Sequence, residues 1–407
     1  MRAPAIRLSG KHCRLLALPA LLLVLAGCDD GGSGSVSGGS STPTPVNNTQ
    51  PIQVNFGPAN EDVDVAFTSV TICAPGTSTC QTIPNIEIDT GSIGLRLIAS
   101  QVTISLPQVS DGSGNRLGNC IVFADNSYLW GPLSMADVQM AGEKASGVPI
   151  QLLGDSSFAT APSSCNSGGT ADDTIATLGA NGILGIGLFR QDCGSACVSS
   201  TSPTVYFSCP GASCTGTTVP LASQLQNPVW MFPQDNNGFL ITLPAIGATG
   251  QASVSGSLIF GIGTQTNNGL NGAQVYTADN TGSFSVTFNG TVYSGSFIDS
   301  GSNGIFFLDG ATLGISECKD SPGFYCPNGT QSYSVITTGA NGKAGTVAFN
   351  IANADTLFAT GNSAFNNLGG SNGQSFDLGL PFFFGRNLFI GIEGQSTPGG
   401  VGPYWAY

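Results

Sequence analysis

One short pattern occurs twice in this chain, once in each half, and it limits the possible folds more than any other feature. Residues 85–97 read as an apolar strand that ends at Asp89, followed by Thr90-Gly91-Ser92 and a second apolar run. Residues 295–307 repeat the pattern around Asp299, with Ser300-Gly301-Ser302 as the turn. A glycine behind each carboxylate lets backbone N–H groups approach it closely. The repeat therefore predicts one site built from two carboxylates.

The composition indicates an all-β fold. Charged residues make up 9% of the 407 residues, whereas about 25% is usual in globular domains. Short alternating runs bounded by glycine, asparagine and proline occur throughout, and long amphipathic helices are nearly absent. A chain of this length has room for one large domain or two medium ones.

The distribution of charge and histidine excludes several function classes. Four of the 11 Lys and Arg residues precede Cys28 and none of the 24 acids does, so the remainder has 7 bases, 24 acids and a net charge of −17. We therefore expect no binding to nucleic acid. The single histidine, His12, also precedes Cys28. Once a leader is removed, Ser-His-Asp catalysis, Cys-His catalysis and histidine-ligated metals are excluded, and carboxylates remain for acid–base chemistry.

The N-terminal residues are typical of an exported, anchored protein. Residues 1–27 have a basic start and an apolar core too short to span a bilayer, as in a signal peptide. The core ends in Leu25-Ala26-Gly27-Cys28, which resembles a bacterial lipobox and implies a lipid on Cys28; an ordinary secretory leader with a chance cysteine is the alternative. Residues 28–50 are rich in Gly, Ser, Pro and Asn and predict a flexible tether, with ordered structure from about Pro51. We expect a location in the bacterial cell envelope, on the periplasmic or surface side, with the choice between inner and outer membrane left open.

The order of the remaining patterns resembles the two-lobed pepsin-type aspartic peptidases. The two aspartate loops match that family's paired Asp-Thr/Ser-Gly motifs. Further similar segments are the two hydrophobic-hydrophobic-Gly segments at 181–188 and 377–393, the flap hairpin at 123–142 and the strand that opens the second lobe at 257–261. The resemblance implies an all-β, two-lobed double β-barrel with a central cleft and few short helices, with lobes at 51–235 and 236–407. It implies a divergent, uncharacterised bacterial lipoprotein branch of that fold.

The resemblance also implies a catalytic pair, Asp89 and Asp299. Two carboxylates a few ångströms apart cannot both ionise comfortably, so the pair holds one proton over a wide acidic range. The ionised member would deprotonate a water and the protonated one would hydrogen-bond the scissile carbonyl, with no metal or cofactor required. Thr90 and Ser300 would hydrogen-bond across to the opposite loop. The supporting residues are expected to be Thr90, Gly91, Ser92, Ser300, Gly301 and Ser302, with Ser92 and Ser302 at the outer carboxylate oxygens.

Two residues depart from the family pattern. The flap usually carries Tyr-Gly-x-Gly-Ser, and Phe123-Ala124-Asp125-Asn126-Ser127 stands in its place, so Phe123, Asp125 and Ser127 are the expected flap residues. Arg96 occupies the position of a tryptophan that contacts the flap tyrosine. If Arg96 points inward, its charge would lower the pKa of the nearby carboxylates. The alternative is that Arg96 faces solvent or pairs with a surface acid.

Two other acids near these motifs are interpreted as structural. Asp111-Gly112-Ser113 lacks a preceding apolar strand and is typical of a β-turn. Glu87 is interpreted as an ordinary polar residue on the strand that leads to Asp89. For Asp89 alone, a turn-capping role would be the better interpretation; the hypothesis of a catalytic pair depends on the second loop.

Ten of the 12 cysteines follow Cys28, and an even number in an exported chain predicts five disulfides. Short hairpin loops hold sequence neighbours close together. The expected pairs are Cys73–Cys80, Cys193–Cys197, Cys209–Cys214 and Cys318–Cys326, which leaves Cys120–Cys165. A zinc site made of Cys193, Cys197, Cys209 and Cys214 is the competing interpretation, and an oxidising compartment disfavours it.

Two function classes follow from these observations. The first is a membrane-anchored aspartic endopeptidase that takes a peptide or protein substrate in the cleft between the lobes. The second is a pepsin-fold lipoprotein with weak or no turnover that acts as a binding or structural protein of the cell envelope. The pair Asp89 and Asp299 favours the first, and the altered flap favours the second. We expect a monomer.

Overall fold

The protein is described by a computed structural model that covers residues 47–123, 126–166 and 168–407. Within these residues the chain forms 24 strands and four α-helices of four or five residues each, so the predicted all-β fold is confirmed. The strands up to residue 216 are Thr49–Val54 (β1), Ala66–Cys73 (β2), Cys80–Asp89 (β3), Ile93–Ile98 (β4), Arg116–Val122 (β5), Tyr128–Met140 (β6), Glu143–Leu153 (β7), Gly182–Ile186 (β8), Tyr206–Cys209 (β9) and Thr215–Gly216 (β10).

The second half contains the other strands. They are Gly238–Thr242 (β11), Val254–Phe260 (β12), Val275–Thr277 (β13), Phe284–Phe288 (β14), Thr291–Ile298 (β15), Ile305–Phe307 (β16), Gln331–Thr338 (β17), Ala344–Ile351 (β18), Gly369–Ser371 (β19), Asp377–Leu378 (β20), Asn387–Gly391 (β21), Ser396–Thr397 (β22), Gly400–Val401 (β23) and Tyr404–Ala406 (β24). The helices are Ile175–Leu178 (α1), Ser195–Ser199 (α2), Gly310–Leu313 (α3) and Ala354–Phe358 (α4). None of the helices in the described part of the chain has the length and apolar character needed to cross a bilayer.

Strand β1 joins the two lobes. It pairs along its whole length with β12 of the second lobe and, at Gln53 and Val54, with β2 of the first. The strand begins at Thr49, two residues before the start expected from composition. Thr49 and Gln50 already lie opposite β12, and the Asn48 side chain donates to the carbonyl of Phe260 at 2.8 Å. Strand β12, far along the chain, orders Thr49 and Gln50, and the local composition around these two residues does not predict this pairing.

The same arrangement of four strands occurs once in each lobe. In the first lobe β3 runs parallel to β8, β8 pairs antiparallel with β4, and β4 runs parallel to β7. In the second lobe β15, β20, β16 and β19 repeat this order with the same directions. Each aspartate loop connects the first strand of its set to the third. Both loops therefore leave their sheets in the same way.

Apolar side chains beneath these strands form a core shared by both lobes. Ile86 and Ile88 of β3 and Ile298 of β15 are fully buried in the same cluster. Burying one such side chain contributes about 1.5–3 kcal/mol. The strands that carry the two aspartates are consequently held from behind by continuous packing.

Five disulfides are present, in the pairs expected from the sequence. The Cα–Cα separations are 4.0 Å for Cys73–Cys80, 5.8 Å for Cys120–Cys165, 5.7 Å for Cys193–Cys197, 4.2 Å for Cys209–Cys214 and 4.8 Å for Cys318–Cys326. Cysteines in disulfides offer no thiolate to a metal. The four cysteines of the competing zinc interpretation are therefore not free to bind zinc.

Candidate active site

The first loop holds the carboxylate of Asp89 by two hydrogen bonds. The backbone N–H of Gly91 donates to Oδ1 at 2.8 Å, and the hydroxyl of Ser92 donates to Oδ2 at 2.5 Å. Asp89 is the last residue of β3, whose alternate residues Ile86 and Ile88 enter the core. The alternation turns Asp89 to the opposite face of the strand.

The second loop holds Asp299 in the same way. The N–H of Gly301 donates to Oδ1 at 2.8 Å, and the Ser302 hydroxyl donates to Oδ2 at 3.0 Å. Asp299 and Asp89 are both fully buried. Each carboxylate thus has one oxygen bound by a backbone amide and the other bound by a serine.

The two loops are also bonded to each other across the boundary between the lobes. The N–H of Ser300 donates to Thr90 Oγ1 at 2.9 Å, and the N–H of Thr90 donates to Ser300 Oγ at 3.1 Å. The Ser300 hydroxyl in turn donates to the carbonyl of Ile88 at 2.7 Å. These bonds link residues more than 200 positions apart and hold the two aspartates in a fixed relation.

Glycine is required at the third position of each loop. A Cβ added at Gly91 would lie 2.6 Å from Cγ of Asp299, and one added at Gly301 would lie 2.8 Å from Oδ1 of Asp89. Both distances are too short for real atoms. Each carboxyl is therefore packed directly against the backbone of the opposite loop, which brings the two acids into one site.

The electrostatics favour a proton on Asp299. Burial raises the pKa of Asp299 well above its ordinary value, and the neighbouring charges of Asp89 and Asp377 raise it further. A side-chain hydrogen bond with Asp89 acts in the same direction, and the Gly301 N–H acts against it. A pair of this kind can bind one water and can both accept and donate a proton.

A cleft opens beside the first loop, and residues of both lobes line it. Apolar side chains form much of its wall, namely Ile93, Leu188, Phe189, Phe297 and Trp405. Thr90 and Gly91 also line it. The cleft thus reaches the loop that carries Asp89.

A hairpin of β5 and β6 occupies the place expected for the flap. At its tip the N–H of Phe123 donates to the carbonyl of Ser127 at 2.8 Å, whereas Asp125 lies outside the described residues. Phe123 is 4% exposed and packs in a separate buried cluster with Ile98, Leu178 and Ile183. Its ring therefore fills space within the first lobe instead of forming the wall of the cleft.

Arg96 points inward, as one of the two expectations had it, but toward another acid than the pair, and the alternative of a solvent-facing side chain or a surface partner is wrong. The side chain is fully buried, yet its partner is the buried acid Asp192, with Nη2 3.9 Å from Oδ2. Arg96 also donates to the carbonyl of Ile93 at 2.7 Å and to Gln151 Oε1 at 3.1 Å. Because Asp192 offsets its charge, Arg96 supports the base of the first loop.

Two acids near the pair have surroundings that the sequence did not predict. Glu87, interpreted as an ordinary polar residue on its strand, is 2% exposed. Asp377, expected only as the start of the apolar segment under the second loop, is fully buried and acts electrostatically on Asp299. The signal in the sequence was an acid at a place where the family pattern has an apolar residue.

In the described residues, the one group with spacing suited to a metal is Cys318, Cys326 and Asp355. Its two cysteines form a disulfide with each other. The group therefore lacks the thiolates that a metal would need.

The mirrored aspartate loops and the shared core define a pepsin-like fold. The chain is similar to the aspartic proteinase from Irpex lacteus, with a TM-score of 0.52 and 13% identity over 88% of this chain and 96% of that one. At this identity the similarity shows the fold alone. The chain belongs to the family described as "Protein of unknown function (DUF3443)", whose model matches residues 44–407. No curated protein sequence matches the chain significantly.

Proposed function

We propose that this protein is a pepsin-like aspartic endopeptidase that hydrolyses peptide bonds with a water molecule activated by Asp89 and Asp299. The observation that carries the proposal is the reciprocal support of the two carboxyls. Each has the same pair of donors, and the loops bond to each other through Thr90 and Ser300. A turn-capping aspartate needs no such partner loop.

The proposed reaction uses the different protonation of the two acids. Asp89, as the ionised member, takes a proton from the water while the water oxygen bonds to the peptide carbonyl carbon. Asp299, as the protonated member, hydrogen-bonds the carbonyl oxygen as the tetrahedral intermediate forms. Asp89 then passes the proton it took from the water to the amine nitrogen, the carbon–nitrogen bond breaks, and an acid and an amine are released with Asp89 again ionised.

The cleft supports a substrate with apolar side chains next to the scissile bond. Ile93 and Phe189 of the first lobe and Phe297 and Trp405 of the second offer apolar contacts on both sides. Apolar pockets with a few polar groups at the reacting end are typical of sites that bind and orient a ligand.

A second candidate is a binding protein of the cell envelope with weak or no turnover. Two observations favour it. Both Asp89 and Asp299 are 0% exposed, so the cleft must open before water and substrate reach them. Phe123, at the flap position, lies in a buried cluster of its own, and it has no hydroxyl with which to orient a water.

Peptide digestion in acid tests the proposal. The mature protein is incubated with a mixed peptide library across acidic pH, with and without a statine-type inhibitor, and cleavage is followed by mass spectrometry. We expect cleavage that the inhibitor blocks, and we expect Asp89→Asn and Asp299→Asn each to abolish it because the two acids act as a unit.

The matched control is Asp111→Asn. Asp111 also precedes a Gly-Ser pair, but it lies in a turn, where it accepts hydrogen bonds from the N–H groups of Ser113 and Asn115. We expect this variant to keep full activity. A wild type that binds the inhibitor but cleaves nothing would favour the second candidate, and activity at about a tenth of wild type in either dyad variant would rule out the shared-proton mechanism.

We further propose that a lipid on Cys28 anchors the protein in a bacterial envelope membrane, with residues 29–46 as part of the tether. The support is the lipobox-like Leu25-Ala26-Gly27-Cys28. Cys28 lies outside the described residues. The anchor would place the cleft at the periplasmic or outer surface, where peptide or protein substrates are available.

A further inference from the structure

Phe189 of the first lobe and Gly282 of the second lobe meet at a place where both line the cleft. A Cβ added at Gly282 would lie 3.2 Å from Cε2 of Phe189 and 3.5 Å from Cδ1 of Leu188. The first distance is shorter than an ordinary van der Waals contact, so the gap between Gly282 and the ring has no room for a methyl group unless the ring shifts. Phe189 and Gly282 therefore form a boundary of the cleft at which the two lobes touch.

The turn that carries Gly282 is held by Asp279, between β13 and β14. The N–H groups of Thr281 and Ser283 donate to Asp279 Oδ1 at 2.8 and 3.0 Å, and the N–H of Gly282 donates to the carbonyl of Asp279 at 3.1 Å. Gly282 has a φ of +83°, a left-handed conformation that glycine adopts without strain. The second lobe thus presents a fixed surface to the ring of Phe189.

Arg190 and Glu393 hold the segment around Phe189 against the second lobe. The N–H of Glu393 donates to the carbonyl of Leu188 at 2.8 Å, and the N–H of Arg190 donates to Glu393 Oε1 at 2.8 Å. Arg190 Nε also donates to the carbonyl of Glu393 at 3.1 Å. Because these bonds lie on both sides of Phe189 in the sequence, its place relative to the second lobe depends on Glu393.

The lining of the cleft is uncharged. None of the described residues that line it is an acid or a base, and the guanidinium of Arg190, next to Phe189 in the chain, lies 5.3 Å from the ring centroid of Trp230, which is not part of the lining. A charged side chain entering the cleft would lose water and gain no ion pair with this lining. The cleft therefore suits an uncharged side chain.

The cleft is also small. Its volume is about 350 Å³, near the lower end of the range of about 300–1,000 Å³ that is usual for ligand sites. In a space of this size, one aromatic wall residue decides how large a side chain fits, because apolar pockets discriminate between ligands that differ by a few carbon atoms.

We propose that Phe189 is a specificity-determining residue that limits the size of the uncharged substrate side chain accepted by the cleft, and that Arg190 and Glu393 are positioning residues that hold Phe189 in place. Its role in turnover rests on the proposed peptidase function. In a protein without turnover, the same contact would select among bound peptides. Gly282 keeps the ring from moving toward the second lobe.

Two variants at this contact should act in opposite directions. Phe189→Ala removes the ring, and Gly282→Ala places a Cβ against it. We measure kcat/KM for peptides that differ in one residue beside the scissile bond, either alanine or tryptophan. We expect Phe189→Ala to raise the ratio of tryptophan to alanine by about tenfold or more and Gly282→Ala to lower it. An unchanged ratio in Phe189→Ala would overturn the proposal, as would a raised ratio in Gly282→Ala.

Gly290→Ala is the matched control for Gly282→Ala. Gly290 has a φ of +81°, close to that of Gly282, but a Cβ added there meets nothing within 4 Å. The two alanine variants therefore share the backbone strain, and only one of them touches Phe189. We expect Gly290→Ala to keep the ratio of wild type. If it lowers the ratio as Gly282→Ala does, the effect comes from strain and the proposal fails.

Two variants of Glu393 test the positioning role. Glu393→Gln keeps an Oε1 acceptor for the N–H of Arg190, whereas Glu393→Ala removes it. We expect Glu393→Ala to raise the ratio of tryptophan to alanine, mainly through KM, and Glu393→Gln to keep the ratio of wild type. Equal ratios in the two variants would overturn the assignment of Arg190 and Glu393 as positioning residues.

A binding measurement separates this proposal from the peptidase function. Statine-type inhibitors that carry alanine or tryptophan beside the statine are titrated into wild type and Phe189→Ala by calorimetry in acid. We expect the variant to favour the tryptophan inhibitor over the alanine inhibitor by about tenfold more than wild type does. Cleavage without any change in size preference would reject the role of Phe189 and leave the peptidase function standing. No cleavage, together with the expected change in Kd, would reject the peptidase function and leave the role of Phe189 supported. The absence of both cleavage and binding would reject both.

Discussion

Replacement of Arg96 by methionine should destabilise the protein, and the destabilisation should grow with pH. Arg96 and Asp192 are 1% and 2% exposed at their side chains, so solvent screens their interaction little. Loss of one partner from a buried ion pair costs about 3–5 kcal/mol. Part of this cost does not depend on pH, because Ile93 O and Gln151 Oε1 lose the hydrogen bonds that Arg96 donates to them.

The pH-dependent part comes from Asp192. Burial raises the pKa of Asp192 to about 6 against the lowering effect of Arg96. Each pKa unit corresponds to about 1.4 kcal/mol, so holding this carboxylate ionised already costs wild type about 3 kcal/mol at neutral pH. Without Arg96 the pKa rises further and the folded protein keeps the proton. The variant then loses about 1.4 kcal/mol more than wild type for each pH unit above 6, until its own higher pKa is reached.

Urea unfolding of wild type and Arg96→Met at pH 5, 7 and 8 measures this difference. The control is Arg96→Met made in an Asp192→Asn background and compared with Asp192→Asn alone, because neither variant has a carboxyl to titrate at this place and the cost of replacing Arg96 should not change with pH. The reasoning is refuted if Arg96→Met shows the same destabilisation at pH 5 and pH 8. That result would mean that Asp192 does not depend on Arg96.

Two further predictions concern the loops and the anchor. Gly91→Ala should abolish the proposed activity and destabilise the protein by about 1–3 kcal/mol, because its Cβ would lie 2.6 Å from the Asp299 carboxyl. The control is Gly112→Ala, where the new Cβ meets nothing within 4 Å. Equal behaviour of the two variants in thermal unfolding and peptide cleavage would contradict the packing of Gly91 against Asp299. Mass spectrometry of the mature N-terminus should find a lipid on Cys28, and an unmodified Cys28 or cleavage elsewhere would reject the anchor.

The features that the sequence predicted well are those with local signals. An apolar strand, a carboxylate and a small Gly-containing turn lie within a few residues of each other in both Asp89 and Asp299 loops, and the repetition made the pair recognisable. The disulfides between near neighbours, such as Cys73–Cys80, follow from the reach of a short hairpin. The all-β class follows from composition and from the spacing of turn residues.

The features that the sequence did not predict depend on distant partners. Arg96 is buried because Asp192 lies beside it in the folded protein, and no local pattern links these two residues. Glu87 was interpreted as an ordinary polar residue on its strand, but residues 86–89 of β3 are buried on both faces, and alternation does not reveal a second cover. Thr49 and Gln50 looked like tether because β12, their partner, begins about 200 residues later.

The buried acids also bear on the pH at which this protein would work. Burial raises the pKa of Asp299 and Asp377 well above the ordinary value, and it raises that of Asp192 to about 6. Such carboxyls stabilise the folded protein fully below about pH 4, and this contribution is lost as pH rises through their folded-state pKa values. Two of them lie in the candidate site, where the proposed reaction needs one proton shared between Asp89 and Asp299. The same burial thus favours the folded state and the proton-holding form of the site in acid, so stability and the proposed catalysis should decline together as pH rises.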